Sequence, residues 1–140
     1  KDYLAELYGQ KATDCFIRDH NALIIWSGCL EDMEPIVVDT PTFSLDILPT
    51  LSNLFGTDYD SRLMPGRDAL SDAPALVFNS HYDWKTDLGT YYSSSGKFVP
   101  KDANAVIPED YVKTMKAIVK NKMKYCSNAL SVDYLRHIFG

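Results

Sequence analysis

The stretch from Thr42 to Gly56 constrains the fold of this chain more than any other. Leu45, Leu48, Leu51 and Phe55 recur at helical spacing, so the segment has one apolar face. Gly56 follows and can take a left-handed backbone without strain, the usual way for a helix to stop. Pro49 has no amide hydrogen. It either opens the regular helix as its first residue or kinks a longer helix begun at Ser44. Asp46, near the positive end, is read as a helix-capping carboxylate.

Apolar runs flank this helix. Ala22-Leu23-Ile24-Ile25-Trp26 is continuous, Ile36-Val37-Val38 is β-branched, and Ala75-Leu76-Val77-Phe78 is a third short run. Runs without polar alternation suit strands buried on both faces, and such strands are typical of parallel sheets sandwiched by helices. The reading is therefore an α/β fold. A short, mainly parallel sheet is expected from residues 22–27, 36–39 and 75–79. Turn signals at Asp87-Leu88-Gly89 and Ser93-Ser94-Ser95-Gly96 add a small antiparallel meander within 84–99. The chain opens on an amphipathic helix over Lys1 to Tyr8, with Gly9 as its stop. Two helices close it. One starts at Pro108 and lines Val112, Met115, Val119 and Met123 on one face; the last carries Leu135, Ile138 and Phe139 and stops at Gly140.

With 140 residues there is room for one domain of ordinary size, read as a single unit over 1–140. A share of 46% hydrophobic residues supplies a core and argues against disorder. Acids outnumber bases 19 to 14, and no basic stripe runs along any segment, which argues against a nucleic-acid partner. Five lysines on the long helix are read as a solvated face rather than a lipid-binding one. The apolar runs are far too short to cross a bilayer. The chain begins at Lys1 rather than methionine, so the start of the gene product is expected upstream.

Self-sufficient chemistry is hard to find. No glycine-rich phosphate loop, no GxSxG elbow and no HExxH pair occurs. The sulfatase-type nucleophile pattern, Cys or Ser followed by x-P-x-R, is also missing; Cys15-Phe16-Ile17-Arg18 has neither the proline nor the spacing. Cys15, Cys29 and Cys126 form no CxxC pair, and buried free thiols are preferred over a metal held by Cys15, His20 and Cys29. His81 stands alone, and His137 is read as structural. Asp19-His20 precedes its apolar run and so sits at the amino edge, whereas functional groups favour the carboxyl edge; a surface or hydrogen-bonded histidine is the preferred reading. Asp39 is better placed, with loop capping as its default role.

The segment Ser44-Leu45-Asp46-Ile47-Leu48-Pro49-Thr50-Leu51-Ser52-Asn53-Leu54-Phe55-Gly56 resembles the S-x-D-I-x-P-T-L-x-x-L-x-G stretch late in the sulfatase and alkaline-phosphatase-like superfamily. Tyr59 to Asp68, ending in Gly66-Arg67-Asp68, is similar to that family's following G-R/T-D element. With His20-Asn21-Ala22-Leu23-Ile24-Ile25-Trp26-Ser27, the likeness is to the lipoteichoic acid synthase-like branch, the phosphoglycerol transferases, over roughly Asp19 to Val99.

The resemblance implies a C-terminal fragment of a sulfatase-like catalytic domain, part of an alkaline-phosphatase-like sandwich. It implies a parent enzyme with upstream transmembrane helices and a domain on the extracytoplasmic face. Such enzymes use a Thr or Ser nucleophile and manganese or magnesium on phospholipid-derived or sulfated small-molecule or glycan substrates. The family's nucleophile and Asp-His metal motif lie upstream of the matching stretch, so no catalytic and no metal-ligating residue is assigned here. No bound metal is expected for the fragment. His20 alone is placed at the substrate edge. An exposed strand edge would favour self-association. The alternative is a stand-alone, non-catalytic α/β interaction module.

Overall fold

In the computed structural model the described residues are 3–9, 11 and 14–139. The expected helix start at Lys1-Asp2 and the stop at Gly140 lie outside them. The chain divides into two compact units, Lys1–Ile36 and Val37–Gly140.

The first unit holds α1 (Tyr3–Tyr8) and α2 (Cys15–Arg18). Asp14 caps α2 by accepting from the Phe16 amide at 2.8 Å. The Tyr8 hydroxyl donates to the Arg18 carbonyl at 3.3 Å, joining the two helices. Residues 20–27 then run without helix or strand into a 3-10 turn at Gly28–Leu30.

The second unit contains α3 (Ser44–Leu54), a 3-10 turn (Ser61–Leu63), strands β1 (Val77–Phe78), β2 (Trp84–Thr86), β3 (Gly89–Tyr92) and β4 (Lys97–Pro100), then α4 (Tyr111–Ser131) and α5 (Tyr134–Phe139). The strands form one sheet in the order β1-β2-β3-β4, every pair antiparallel. The expected mainly parallel sheet is therefore corrected: the sheet is antiparallel throughout. Residues 22–27 and 36–39 are not strands and make no ladder hydrogen bonds among the described residues. They are not buried either: Ile24 is 85% exposed, Trp26 75% and Val37 76%.

The physical reason lies in the connections. An apolar run states that a segment wants covering; it does not name its partner. A parallel pair needs a crossover of about a dozen residues, whereas short links force antiparallel pairing. Residues 79–83, 87–88 and 93–96 are such links, so the run at 75–79 becomes the outer strand of the meander instead of a parallel strand.

One face of β2 and β3 carries the core. Trp84, fully buried, lies opposite Tyr91 in the ladder and stacks on it at 5.3 Å. Phe98 and Tyr111 pack around the same indole at 5.4 and 5.9 Å. Val119 is buried in this cluster, with Val112, Met115 and Met123 packed against it, so the helical stripe read from the sequence is the stripe that faces the sheet. Helix α4 begins at Tyr111, not Pro108; residues 108–110 form a turn closed by the Tyr111 amide on the Pro108 carbonyl, 3.0 Å. The hydroxyls of Thr86 and Tyr111 meet at 2.7 Å and tie β2 to the start of α4. Near its far end α4 is tied to the segment that follows α3 by Lys122 Nζ donating to the Pro65 carbonyl, 2.5 Å, and Tyr125 Oη donating to the Leu63 carbonyl, 2.6 Å.

Gly56 has φ +62°. The Thr57 amide reaches the Ser52 carbonyl at 2.9 Å and the Gly56 amide reaches Asn53 at 3.1 Å, the paired bonds of a Schellman stop. Gly56→Val should cost roughly 1 kcal/mol or more through the left-handed backbone alone, because no atom stands within 4 Å of the added Cβ. A melting midpoint equal to wild type would refute this.

Candidate functional site

Two of the segments that carry the family resemblance, 44–56 and 59–68, meet in the second unit, between α3 and the loop 65–70. Helix α3 begins at Ser44 with Pro49 buried inside it, so the longer of the two helix readings holds. Pro49 has no amide hydrogen to give to the Leu45 carbonyl. Gly66 packs against that carbonyl so closely that a Cβ on it would stand 2.0 Å from the oxygen. Three hydrogen bonds close the same contact. Asp46 Oδ1 accepts from the Arg67 amide at 2.8 Å, Thr50 Oγ1 accepts from the Ala69 amide at 2.9 Å, and Asn53 Nδ2 donates to Asp68 Oδ2 at 2.6 Å.

Asp46 is a helix cap, since Oδ2 also accepts from the Phe43 amide at 3.2 Å. Its second bond, to Arg67, spans 21 residues and is invisible to local reading. The Arg67 guanidinium extends the clasp: Nη2 donates to Thr40 Oγ1 at 2.9 Å and to the Pro41 carbonyl at 3.4 Å, and Nη1 reaches the Asp68 carbonyl at 3.3 Å. Its Nε is buried without a hydrogen-bond partner among the described residues. The sequence does not reveal Arg67 as an anchor, because its partners Asp46, Thr40 and Pro41 are more than twenty residues away. Its only signal was the spacing of Asp46 from Gly66-Arg67-Asp68.

Burial pushes the Asp46 carboxyl above its ordinary value, opposed by the amides of Arg67 and Phe43 and by the charges of Arg67 and Lys122. The folded chain therefore holds this proton more tightly than the unfolded chain does. The stability linked to it is fully present below the unfolded pKa, near 3.8, and is lost as pH rises through the raised folded value. The midpoint of wild type minus that of Asp46→Asn should thus increase as pH falls from neutral through that window. Thermal unfolding of both proteins from pH 7 to about pH 4 checks it; a constant difference would rule the linkage out.

The other sequence candidates do not converge. In the first unit His20 is exposed, and its backbone amide donates to the Ile17 carbonyl at 3.3 Å. Its neighbour Asp19 is engaged by Arg18 in a two-pronged ion pair, both contacts 2.8 Å, which holds the Asp19 carboxyl below its ordinary value. In the second unit Asp39 is exposed, and no cap bond from it is present among the described residues. Cys29 is exposed and Cys15 and Cys126 are half-buried, so the expectation of buried thiols is corrected. Among the described residues no three His, Cys, Asp or Glu side chains stand together as a metal site, and these residues do not fit manganese or magnesium. No helix among them is long and apolar enough to cross a membrane.

Fold and site together define a four-stranded antiparallel sheet backed by a long helix and closed by a helix–loop clasp. Comparison with protein-family models, with curated proteins and with solved structures gives no match to this chain.

Proposed function

We propose that this chain is the C-terminal part of a metal-dependent enzyme resembling the lipoteichoic acid synthase-like phosphoglycerol transferases, and that it supplies scaffold rather than reacting groups. One observation carries the reading. Six of the residues in the two segments that make the core of the resemblance, Asp46, Pro49, Thr50, Gly66, Arg67 and Asp68, belong to a single clasp. A chance likeness in sequence has no reason to select positions that close on one another across some twenty residues. Here Pro49 and Gly66 serve one carbonyl, and Asp46 and Arg67 serve one loop. In this reading the nucleophile and metal ligands belong to upstream residues, where phosphoryl transfer through a covalent intermediate would take place. The exposed apolar segments at 23–26 and 36–38 are surfaces awaiting cover.

The coding sequence upstream of Lys1 is the first test: apolar spans and a Gly-Asp-His motif are expected there. The protein including that region should release diacylglycerol from phosphatidylglycerol in the presence of manganese and lose this activity with EDTA. The 140-residue chain alone should turn over neither a chromogenic phosphodiester nor a sulfate ester. An upstream region without that motif, or manganese-dependent turnover by the isolated chain abolished in His20→Ala, would overturn the reading.

A further inference from the structure

Between β1 and β2 the chain makes a tight connection that holds an aromatic residue in an unfavourable conformation. Tyr82 has φ +64°, a region bulky residues avoid, and the residue is 48% exposed. The connection is fixed from several sides. Asn79 Oδ1 accepts from the amides of His81 and Asp83 at 2.9 and 3.1 Å. Asp83 Oδ1 accepts from the Ser93 amide at 2.7 Å, and Ser93 Oγ donates to the His81 carbonyl at 2.5 Å. A strained backbone persists only where its surroundings over-determine it, and such positions concentrate at binding sites.

Tyr82 stands at a cavity of about 360 Å³, lined also by Trp84, Tyr91, Ser93, Lys116 and Lys120. That volume is at the lower end for small-molecule pockets. Lys116 Nζ lies 5.4 Å from the centre of the Tyr91 ring, a cation–π contact that holds the ammonium at the wall. Neither Lys116 nor Lys120 forms an ion pair among the described residues, and no carboxylate is among the residues lining the cavity. Two ammonium groups with no ion pair among the described residues thus stand near the exposed Tyr82 ring in a chain whose net charge is −5.

The geometry points to a binding site for a small phosphorylated or sulfated sugar, its ring against Tyr82 and its anionic ester between Lys116 and Lys120. Lysine ammonium groups take phosphate or sulfate as point charges, while aromatic faces take the C–H surface of a sugar. The site rests on this cavity alone and does not depend on the proposed function.

Glucose 6-phosphate and glucose 6-sulfate titrated into the chain, with Trp84 fluorescence read in a Trp26→Phe background, should each give a saturable change; the tighter of the two identifies the ester. Glucose and inorganic phosphate should each bind at least about tenfold more weakly. Lys116→Gln combined with Lys120→Gln should weaken the preferred ligand about tenfold or more. Lys113→Gln combined with Lys124→Gln removes the same charge from the same helix outside this cavity, and should change affinity less than about twofold. Tyr82→Asn, which suits the left-handed backbone, should weaken binding about fivefold without lowering the melting midpoint. Any of three results would overturn the site: no saturable change up to about 10 mM, equal losses in the two lysine pairs, or tighter binding of a single-stranded oligonucleotide.

Discussion

Gly66→Ala should lower the melting midpoint by about 10 °C, a loss of roughly 3 kcal/mol or more. The added Cβ would stand 2.0 Å from the Leu45 oxygen, 2.4 Å from its carbonyl carbon and 2.8 Å from the Asp46 nitrogen. All three are backbone atoms in the first turn of α3, so no side chain can rotate away. Relief requires the loop to lift off the helix, and that breaks the bonds that the Arg67 amide donates to Asp46 and the Ala69 amide donates to Thr50. Leaving those buried groups unpaired adds to the cost of the clash. Gly56→Ala is the matched control, since its Cβ would meet no atom within 4 Å. Urea unfolding of the two variants separates them. A Gly66→Ala midpoint no lower than that of Gly56→Ala would show that the loop does not sit on the helix as described.

Trp84→Ala should cost about 3–5 kcal/mol, enough to unfold a domain of marginal stability. The indole is fully buried among Tyr91, Phe98 and Tyr111, and its removal leaves a cavity lined by rings that cannot collapse together. Trp84→Phe should cost less than half as much. It keeps an aromatic ring in the stack and also removes the indole N–H, which is buried without a hydrogen-bond partner among the described residues. Burying such a donor costs about 1–3 kcal/mol, so its loss offsets part of the lost packing. Circular dichroism and denaturant midpoints for the two variants test this pair. Both variants lose the indole N–H, so equal destabilisation by Phe and Ala would mean that an aromatic ring at this position contributes nothing to the stack.

Much of the second unit could be read locally because its causes are local. The Gly56 stop needs only a glycine after an amphipathic run. The Val112, Met115, Val119 and Met123 stripe follows from helical spacing, and the strands over 84–99 follow from two turn signals a few residues apart. The candidate site was legible only in part. Asp46 could be recognised as a cap because Phe43 is three residues away, whereas its bond to the Arg67 amide depends on where a distant loop lands. His20 was placed at a substrate edge by the family resemblance alone, against its position at the amino edge of an apolar run; the structure gives it an exposed setting with no metal-ligating cluster among the described residues.

The sequence by itself determined that α1, α3, α4 and α5 are helical, though not α2, and also where α3 stops and that 22–26 and 36–38 are apolar, because each depends on residue type and spacing within about one turn or one strand. Only the tertiary structure decided how the strands pair. The links at 79–83, 87–88 and 93–96 fold neighbouring strands back on one another, so pairing is antiparallel, while the apolar runs at 22–26 and 36–38 join no strand ladder among the described residues. Hydrophobicity is non-directional: it fixes that a surface should be buried, and the geometry of the connections decides against what. The same holds for Gly66 and Tyr82. One is required by a carbonyl that a proline freed elsewhere in the chain, and the other is held in its left-handed backbone by hydrogen bonds that the Asn79 and Asp83 side chains accept and the Ser93 hydroxyl donates.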